Sequence, residues 1–338
     1  MFQFTFQPGL GGPMMRRRFM ATLLGVGAAA LAAAPFAAEV AYPGRAVRMI
    51  VPLPAGGASD SLARLIAQRL GDQWGQSVIV ENRGGAGSII GTQAVASAKP
   101  DGHTFGMVIS AHTINPSLRN DLPYDTLKDF TPLTQAVSAP MAVVVHPDFP
   151  ANDIAELVAL AKSKPGAIEY ASLGIGTATH LFGELLKLRA GIDLTHIPYS
   201  GSSPAYQDLL PGRVPVGIVV MESALPHVAG GRLKMLAIST AERAPSYPEF
   251  PTVSETIPGV VMDSSIGFVA PAGLAPEVKQ TLANGLIEAL RDPKVKEQVH
   301  ALGYSLVGSD PITYEQVLEQ QIRQNQEVVK AADLRIDK

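Results

Sequence analysis

The chain has 338 residues, of which 46% are hydrophobic and 17% are charged, and its formal net charge at pH 7 is −3. It contains no cysteine, which excludes disulfides, thiolate metal sites and cysteine nucleophiles. The slightly acidic balance, with no lysine- or arginine-rich stripe after residue 40, argues against a nucleic-acid partner. The length allows one large domain or two ordinary ones.

Near the N-terminus, basic residues precede an apolar run. Arg16, Arg17 and Arg18 are followed by a stretch rich in Ala, Gly and Leu, which is shorter than the roughly 20 residues of a spanning helix. We expect residues 1–38 to be a cleaved export signal and the protein to work in the periplasm. Arg16 and Arg17 occupy the paired positions of the twin-arginine motif R-R-x-F. The motif's usual lysine is missing, so the general secretory route stays open, as does an N-terminal membrane anchor.

Beyond the signal, apolar runs of strand length alternate with helical patterns, which is typical of α/β proteins. The pattern predicts strands at 47–51, 77–80, 104–109, 168–171, 194–198, 214–220 and 233–238. It predicts helices after residue 60, at 89–98, 154–162, 179–189 and 204–210, and from Pro276 and Pro311 onward.

Two extended stretches, at 131–145 and 260–270, bracket one complete α/β block. A chain that leaves one domain, builds a second and returns forms two lobes joined by two crossover hinge segments. We therefore predict a first lobe of residues 39–138 with 263–338, and a second lobe of residues 139–262. Ligands of open α/β sheets bind beyond the carboxyl ends of the strands, so we expect a site in the cleft between lobes.

Two glycine-containing turns are candidates for binding an anion. The first, residues 54–57, and the second, residues 172–180, each lie between a predicted strand and a predicted helix. Glycines let successive backbone N–H groups converge, and the helix dipole adds positive potential. Ser172, Thr177 and Thr179 add hydroxyl groups to the second turn. One such turn in each lobe would suit a small carboxylate.

Other chemistries fit the sequence less well. Gly174 and Gly176 begin a G-x-G-x-x-G pattern, but Thr179 replaces its third glycine and no acidic residue ends the next strand. His180 and Glu184 are spaced to share a metal, yet no third ligand is evident, and we expect a solvated or cleft-lining pair. There is no G-x-S-x-G nucleophile elbow. We expect no metal, no cofactor and no catalytic residues.

Short motifs in order along residues 42–330 resemble one family. They are V-P-L-P-A-G-G-A-S-D at 51–60, V-E-N-R at 80–83 with G-A-G at 85–87, K-P-D-G at 99–102, I-N-P-S-L at 114–118, L-P-Y-D at 122–125, I-P-Y at 197–199, S-A-L-P-H at 223–227, F-P-T-V at 250–253 and A-P-A-G at 270–273. These motifs are similar to those of Bug receptors, the solute-binding subunits of tripartite tricarboxylate transporters. The resemblance implies a two-lobed type II periplasmic-binding-protein fold, no cofactor, and a membrane transporter partner with one large and one small integral subunit.

The resemblance also implies ligand contacts. The first turn should bind a carboxylate through backbone N–H groups and ordered water. The residues implied for the whole site are Pro54, Ala55, Gly56, Gly57, Ser110, His112, Thr113, Ser172, Gly176, Thr177, Thr179 and Tyr199. Asp60 is expected to hold the turn, since a carboxylate would repel an anion. Val219, Ser265 and Ile266 replace residues that are often acidic or aromatic in the family, which favours a less polar or bulkier acid than an amino dicarboxylate.

The sequence thus predicts a periplasmic receptor that captures a small carboxylate for uptake by a membrane transporter. Two alternatives stay open at this point. One is a receptor that presents its ligand to a sensor kinase, and the other is an exported enzyme on the same fold.

Overall fold

The computed structural model describes residues 1–5, 7, 9, 42–244, 246–302 and 304–334. Arg16, Arg17 and nearly all of the predicted export signal lie outside the described residues. The helices and strands lie in a unit that runs from Tyr42 to Lys338. No helix in the described part of the chain is long and apolar enough to cross a membrane.

The strands and helices alternate as the hydrophobic pattern indicates. The strands are β1 (Val47–Val51), β2 (Val78–Asn82), β3 (Thr104–Ile109), β4 (Phe130–Ala139), β5 (Met141–Val145), β6 (Glu169–Ser172), β7 (Thr195–Pro198), β8 (Val216–Val220), β9 (Lys234–Ile238), β10 (Ser264–Pro271) and β11 (Ser305–Leu306). The helices are α1 (Ala58–Trp74), α2 (Ile89–Ala96), α3 (Ala111–Leu118), α4 (Ile154–Ser163), α5 (Ala178–Ala190), α6 (Ser202–Leu209), α7 (Met221–Ala229), α8 (Val253–Thr256), α9 (Pro276–Arg291), α10 (Pro293–Ala301) and α11 (Pro311–Ala331).

The strands form two mixed sheets. The first has the order β11-β4-β10-β3-β1-β2, and the second has the order β7-β6-β8-β5-β9. In the first sheet β1 is parallel to β2 and β3, and in the second β6 is parallel to β7 and β8. Because parallel strands end at a common edge, the segments that follow β1, β3, β6 and β8 are where a ligand site is expected.

The chain crosses between the sheets twice, at neighbouring positions. Only Pro140 separates β4 of the first sheet from β5 of the second. On the return, Met262 still bonds to Ser239 beside β9, and β10 of the first sheet begins two residues later. We call the two halves the first and second lobe after their sheets. The exact division at residues 138/139 and 262/263 stays our proposal for the domain boundaries.

Each lobe has its own hydrophobic core, and α11 contributes to both. Tyr314 and Leu318 of α11 pack in a cluster of the first lobe with β3 and β10 residues. Near the C-terminal end of α11, Val328 and Val329 pack in the core of the second lobe. Burying an aliphatic or aromatic side chain stabilises a fold by about 1.5–3 kcal/mol. The C-terminal helix is therefore a third connection between the lobes, which the sequence did not predict.

Candidate functional site

The first turn is held in place by Asp60. Residues 54–57 follow β1 and are exposed, whereas Asp60 in the first turn of α1 is 4% exposed. Its Oδ2 accepts hydrogen bonds from the Gly56 backbone N–H and from Arg64 Nε, both at 2.9 Å. Its Oδ1 accepts a bond of 2.9 Å from Asn82 Nδ2. The expectation that Asp60 organises this turn is confirmed.

These contacts also fix the charge of Asp60. The hydrogen bond from Arg64, aided by those from Gly56 and Asn82, lowers the pKa of Asp60 to about 2. The φ of Gly56 is 93°, in the region that side-chain-bearing residues rarely adopt, so the turn requires glycine there. Among the backbone N–H groups predicted to grip a carboxylate, that of Gly56 already donates to Asp60.

The second turn is closed by its own hydroxyl groups. Thr177 is the N-cap of α5, where its Oγ1 accepts from the His180 N–H, and it donates to Gly174 O at 2.7 Å. Thr179 Oγ1 accepts from the Leu173 N–H at 3.0 Å. These hydroxyls, predicted as ligand donors, thus hold the turn in this structure. Ligand contact by them stays a prediction.

The other predicted site residues in and beside the second turn also have hydrogen-bond partners within the protein. Ser172 Oγ lies 2.6 Å from His196 Nε2, and the Gly176 N–H donates to His180 Nδ1 at 3.1 Å. The Tyr199 N–H donates to Ser172 O at 3.0 Å, which ties the end of β7 to the turn. The predicted contacts of Ser172, Gly176 and Tyr199 with a ligand also stay predictions.

His180 and Glu184 form a buried network rather than the solvated or cleft-lining pair that we expected. They are 3% and 8% exposed. His180 stacks on His196 with ring centroids 3.9 Å apart, and burial, followed by the neighbouring His196, lowers the pKa of His180 to about 3. Glu184 accepts from Tyr170 Oη at 2.8 Å and from Lys187 Nζ. No cluster of three potential metal ligands occurs among the described residues.

His112 lies in the core of the first lobe, contrary to its predicted position in the cleft. The residue is 2% exposed, and its ring packs edge-on against Phe130 at 4.9 Å and parallel to Tyr124 at 6.3 Å. Burial lowers its pKa to about 4, so the ring is neutral at physiological pH. The ring lines neither of the two cavities at the junction of the lobes.

Two cavities lie at the junction of the lobes. The first, which we call the hinge cavity, has a volume of about 240 Å³. Its lining comes from both lobes and from α11, and includes Ser110, Thr113, Ala178, Asp263, Gln321 and Asn325. Of the predicted site residues, Ser110 and Thr113 line this cavity. Burial raises the pKa of Asp263, whose Oδ2 accepts a 2.5 Å bond from Ser138 Oγ.

The second, which we call the cleft cavity, has a volume of about 370 Å³. The first residues of three helices line it: those of α1 in the first lobe and of α6 and α7 in the second. These polar and small residues are Ala58, Ser59, Ser202, Glu222 and Ser223, and Ile109, Val220, Ile266, Leu302 and Tyr304 add an apolar wall. Free N–H groups and the dipole give each helix N-terminus a positive potential. The cavity can therefore stabilise an anion while covering a hydrocarbon chain.

Sequence reasoning missed the α6 and α7 ends of this cavity. A signal was present for α6, since Ser202 and Ser203 precede Pro204, a combination typical of a helix start. Of the three departures noted in the sequence, only Ile266 lines the cleft cavity. Val219 is fully buried in the second lobe's core, and Ser265 bonds to Gln321 of α11.

The amino-acid sequence matches a known family of proteins. The model of the tripartite tricarboxylate transporter family receptor, TctC, matches residues 62–334. Protein BugT of Bordetella pertussis is 37% identical over 282 residues, which cover 82% of this chain and 86% of BugT.

Solved structures agree with this assignment. The structure of Rhodopseudomonas palustris Rpa4515 with adipate is 30% identical, with a TM-score of 0.72, and the match covers 87% of this chain and 100% of that one. MatC from Rhodopseudomonas palustris, with bound malate, is 30% identical, with a TM-score of 0.68 and coverage of 85% and 100%. The predicted two-lobed α/β binding-protein fold is confirmed. The chain belongs to the receptor family of the tripartite tricarboxylate transporters, whose members are periplasmic solute-binding proteins.

Proposed function

We propose that the protein captures a small carboxylate in the cleft cavity and delivers it to a tripartite-tricarboxylate-type transporter with one large and one small integral membrane subunit. The observation that carries the proposal is the meeting of the α1, α6 and α7 N-termini around one cavity between the lobes. Family membership supports the transport role, and binding rather than catalysis is the activity of its relatives.

Backbone dipoles and hydroxyls supply the positive potential for the anion. The described residues that line the cleft cavity include no lysine, arginine or histidine. A helix N-terminus stabilises a nearby anion by about 0.3–1 kcal/mol, and by up to about 2 kcal/mol where it is partly buried. Three such ends acting together suit a carboxylate, and the exposed first turn at residues 54–57 lies directly before α1.

The apolar wall favours a ligand with a hydrocarbon segment. Val220, Ile266 and Leu302 contribute to that wall. Adipate in Rpa4515 and malate in MatC are both dicarboxylates. We therefore propose a dicarboxylate, or another acid with an apolar body, as the ligand class.

The test is calorimetric titration of the exported protein with adipate, malate, citrate, aspartate and nicotinate. We expect binding of at least one acid, with recovery of the intact acid after denaturation as shown by mass spectrometry. Ser202→Ala should weaken that binding roughly 10- to 150-fold, the value of one lost hydrogen bond to a charged group. Ser77→Ala, an exposed serine directly before β2, is the matched control and should bind like wild type. Equal affinity of Ser202→Ala and wild type would argue against this cavity, and recovery of a chemically altered acid would argue for an enzyme.

We also propose export through the twin-arginine route, supported by the R-R-x-F spacing of Arg16, Arg17 and Phe19. Replacing Arg16 and Arg17 by lysine keeps the charge, so an export defect in that variant would report on the motif alone. Cell fractionation should then find the precursor in the cytoplasm. Normal periplasmic yield would instead indicate the general secretory route. Presentation of the ligand to a sensor kinase stays an alternative, which the comparisons do not support.

A further inference from the structure

Glu222 is the acidic residue of the cleft cavity. It is the second residue of α7 and lines the cavity beside Ser223, opposite Ser59 and Tyr304 of the first lobe. Its Oε2 is shielded from solvent and has no hydrogen-bond partner in the described part of the chain. A carboxylate oxygen that is shielded from water without a partner is costly, whereas the neutral acid is tolerated much better.

The groups that face Glu222 across the cavity and from α6 do not neutralise it. Burial raises the pKa of Tyr304 across the cavity and raises that of Tyr206 on α6 to about 12, so both phenols are neutral near pH 7. The charged residue of α6, Asp208, is paired with Arg213.

Among the described residues of α7 itself and of β5, β8 and β9, which pack against it, no cation bonds to Glu222. On α7 itself, burial and the nearby Arg232 lower the pKa of His227, which is therefore neutral above pH 6.5. Lys234 of β9 donates to Phe149 O and Asn152 Oδ1 instead. Strands β5 and β8 contain no titratable residue.

Burial thus raises the pKa of Glu222 to about 7, although the hydrogen bond from its own backbone N–H at the start of α7 acts in the opposite direction. Both protonation states are populated near neutral pH. An ionised Glu222 would compete with a ligand carboxylate for the potential of the same helix ends and would repel it. The protonated acid removes the repulsion and offers an O–H donor.

We propose that Glu222 is a proton-linked ligand contact, whose carboxyl takes up one proton from solution when an anionic ligand enters the cleft cavity and then donates its O–H to a ligand carboxylate. The inference rests on the proposed function, since it assumes a carboxylate ligand in this cavity. No bond other than the O–H of Glu222 is made or broken.

The proposal sets the sign and size of a pH effect. The carboxyl groups of adipate and malate have pKa values of roughly 4–5 and are almost fully ionised above pH 6.5. With a pKa of about 7 for Glu222 in the free protein, obligatory protonation lowers the affinity about 25-fold between pH 6.5 and pH 8.5. In Glu222→Gln the side chain is a neutral donor at every pH, so its affinity should stay level across this range.

The experiment is calorimetric titration with whichever of adipate and malate binds better at pH 6.5. At pH 7.5, comparison of phosphate and Tris buffers should show uptake of about 0.75 proton per ligand by wild type and none by Glu222→Gln. Glu249→Gln removes an exposed carboxylate of the same lobe and should behave like wild type.

Proton uptake by wild type is measured without any variant, so a misfolded Glu222→Gln leaves the proposal testable. Binding with no proton uptake, or with an affinity that rises with pH, would overturn the role of Glu222 and leave the proposed function standing. If the affinity of Glu222→Gln changed with pH as steeply as that of wild type, the role of Glu222 would likewise be overturned and the proposed function would stand. Failure of both acids to bind at pH 6.5 would count against the proposed function and this inference together.

Discussion

Replacing Asp60 by asparagine should loosen the first turn and destabilise the first lobe. The carboxylate accepts bonds from Gly56, Arg64 and Asn82, whereas an amide has one oxygen and must turn its NH2 toward one of those donors. The drop in pKa from 3.8 to about 2 corresponds to about 2.5 kcal/mol at about 1.4 kcal/mol per unit. Because the Arg64 side chain is 53% exposed, water screens the pair, and we discount this value to about 1–2 kcal/mol.

A donor left without its acceptor adds to that loss. Because Gly56 and Arg64 are exposed and Asn82 is half-buried, the unpaired donor adds only about 1 kcal/mol, the lower end of the cost for a buried one. We therefore expect Asp60→Asn to lose about 2–3 kcal/mol in total. In a chain of this size that loss lowers Tm by roughly 5–10 °C. The affinity for ligand should fall as well, since the turn at residues 54–57 loses the anchor of Gly56.

The assay is thermal unfolding followed by circular dichroism at several pH values. The folded-state pKa of Asp60 is lowered, so its contribution is present above the ordinary pKa and is lost as pH falls through about 2. The gap in Tm between wild type and Asp60→Asn should therefore be full at pH 5 and shrink toward pH 2. Arg64→Met keeps the bonds from Gly56 and Asn82 and should lose only about 1 kcal/mol or less. A variant Asp60→Asn as stable as wild type at pH 7, or a gap that is constant with pH, would refute the reasoning.

Three further predictions concern the second lobe and the hinge. Thr177→Val removes the N-cap of α5 and should cost about 1 kcal/mol in urea unfolding, with Thr177→Ser close to wild type; an unchanged midpoint for valine would contradict the cap. Because burial raises the pKa of Asp263, the wild type loses stability as pH rises above the ordinary carboxyl pKa. The Tm of Asp263→Asn relative to wild type should therefore increase from pH 4 to pH 7. A difference in Tm that is constant with pH would argue against a raised pKa at Asp263. Gly183→Ala would place Cβ 2.5 Å from the buried Tyr170 ring and should cost about 1–3 kcal/mol in thermal unfolding. The control is Gly71→Ala, whose Cβ has no neighbouring atom nearer than 3.5 Å. Equal stability of the two variants would contradict a steric clash at Gly183.

Local sequence patterns were sufficient for most of the fold. Strands β1 and β3 have the predicted bounds, and the glycine turns lie at strand ends as expected. The helices α3 and α7 were missed. Each contains a proline, Pro116 and Pro226 respectively, and a proline in a helical pattern normally indicates a break. Tertiary packing of Ile114 and Leu118 of α3 in the second lobe's core overrides that local preference.

The candidate site was less predictable because burial and pairing are decided by distant parts of the chain. The ring of His112 is enclosed by Tyr124 and Phe130, which come from other segments. The raised pKa of Glu222 has the same kind of origin, because the walls that bury it come from both lobes. A sequence shows which residues can ionise, but the surroundings that set their charge appear only after folding.

Under the proposed function, the two turns would supply rigid groups for binding and the cleft cavity would supply the groups that select the ligand. Asp60 in the first turn and Thr177 in the second use their polar atoms to hold backbone geometry. Groups committed in this way lose little freedom when a ligand binds, which favours affinity through pre-organisation. Discrimination between acids must then come from side chains in the cavity whose atoms are uncommitted or apolar, above all Glu222 and Ile266. Exchanging one acid for another should therefore require changes at those two positions, while substitutions within the turns should weaken all acids alike.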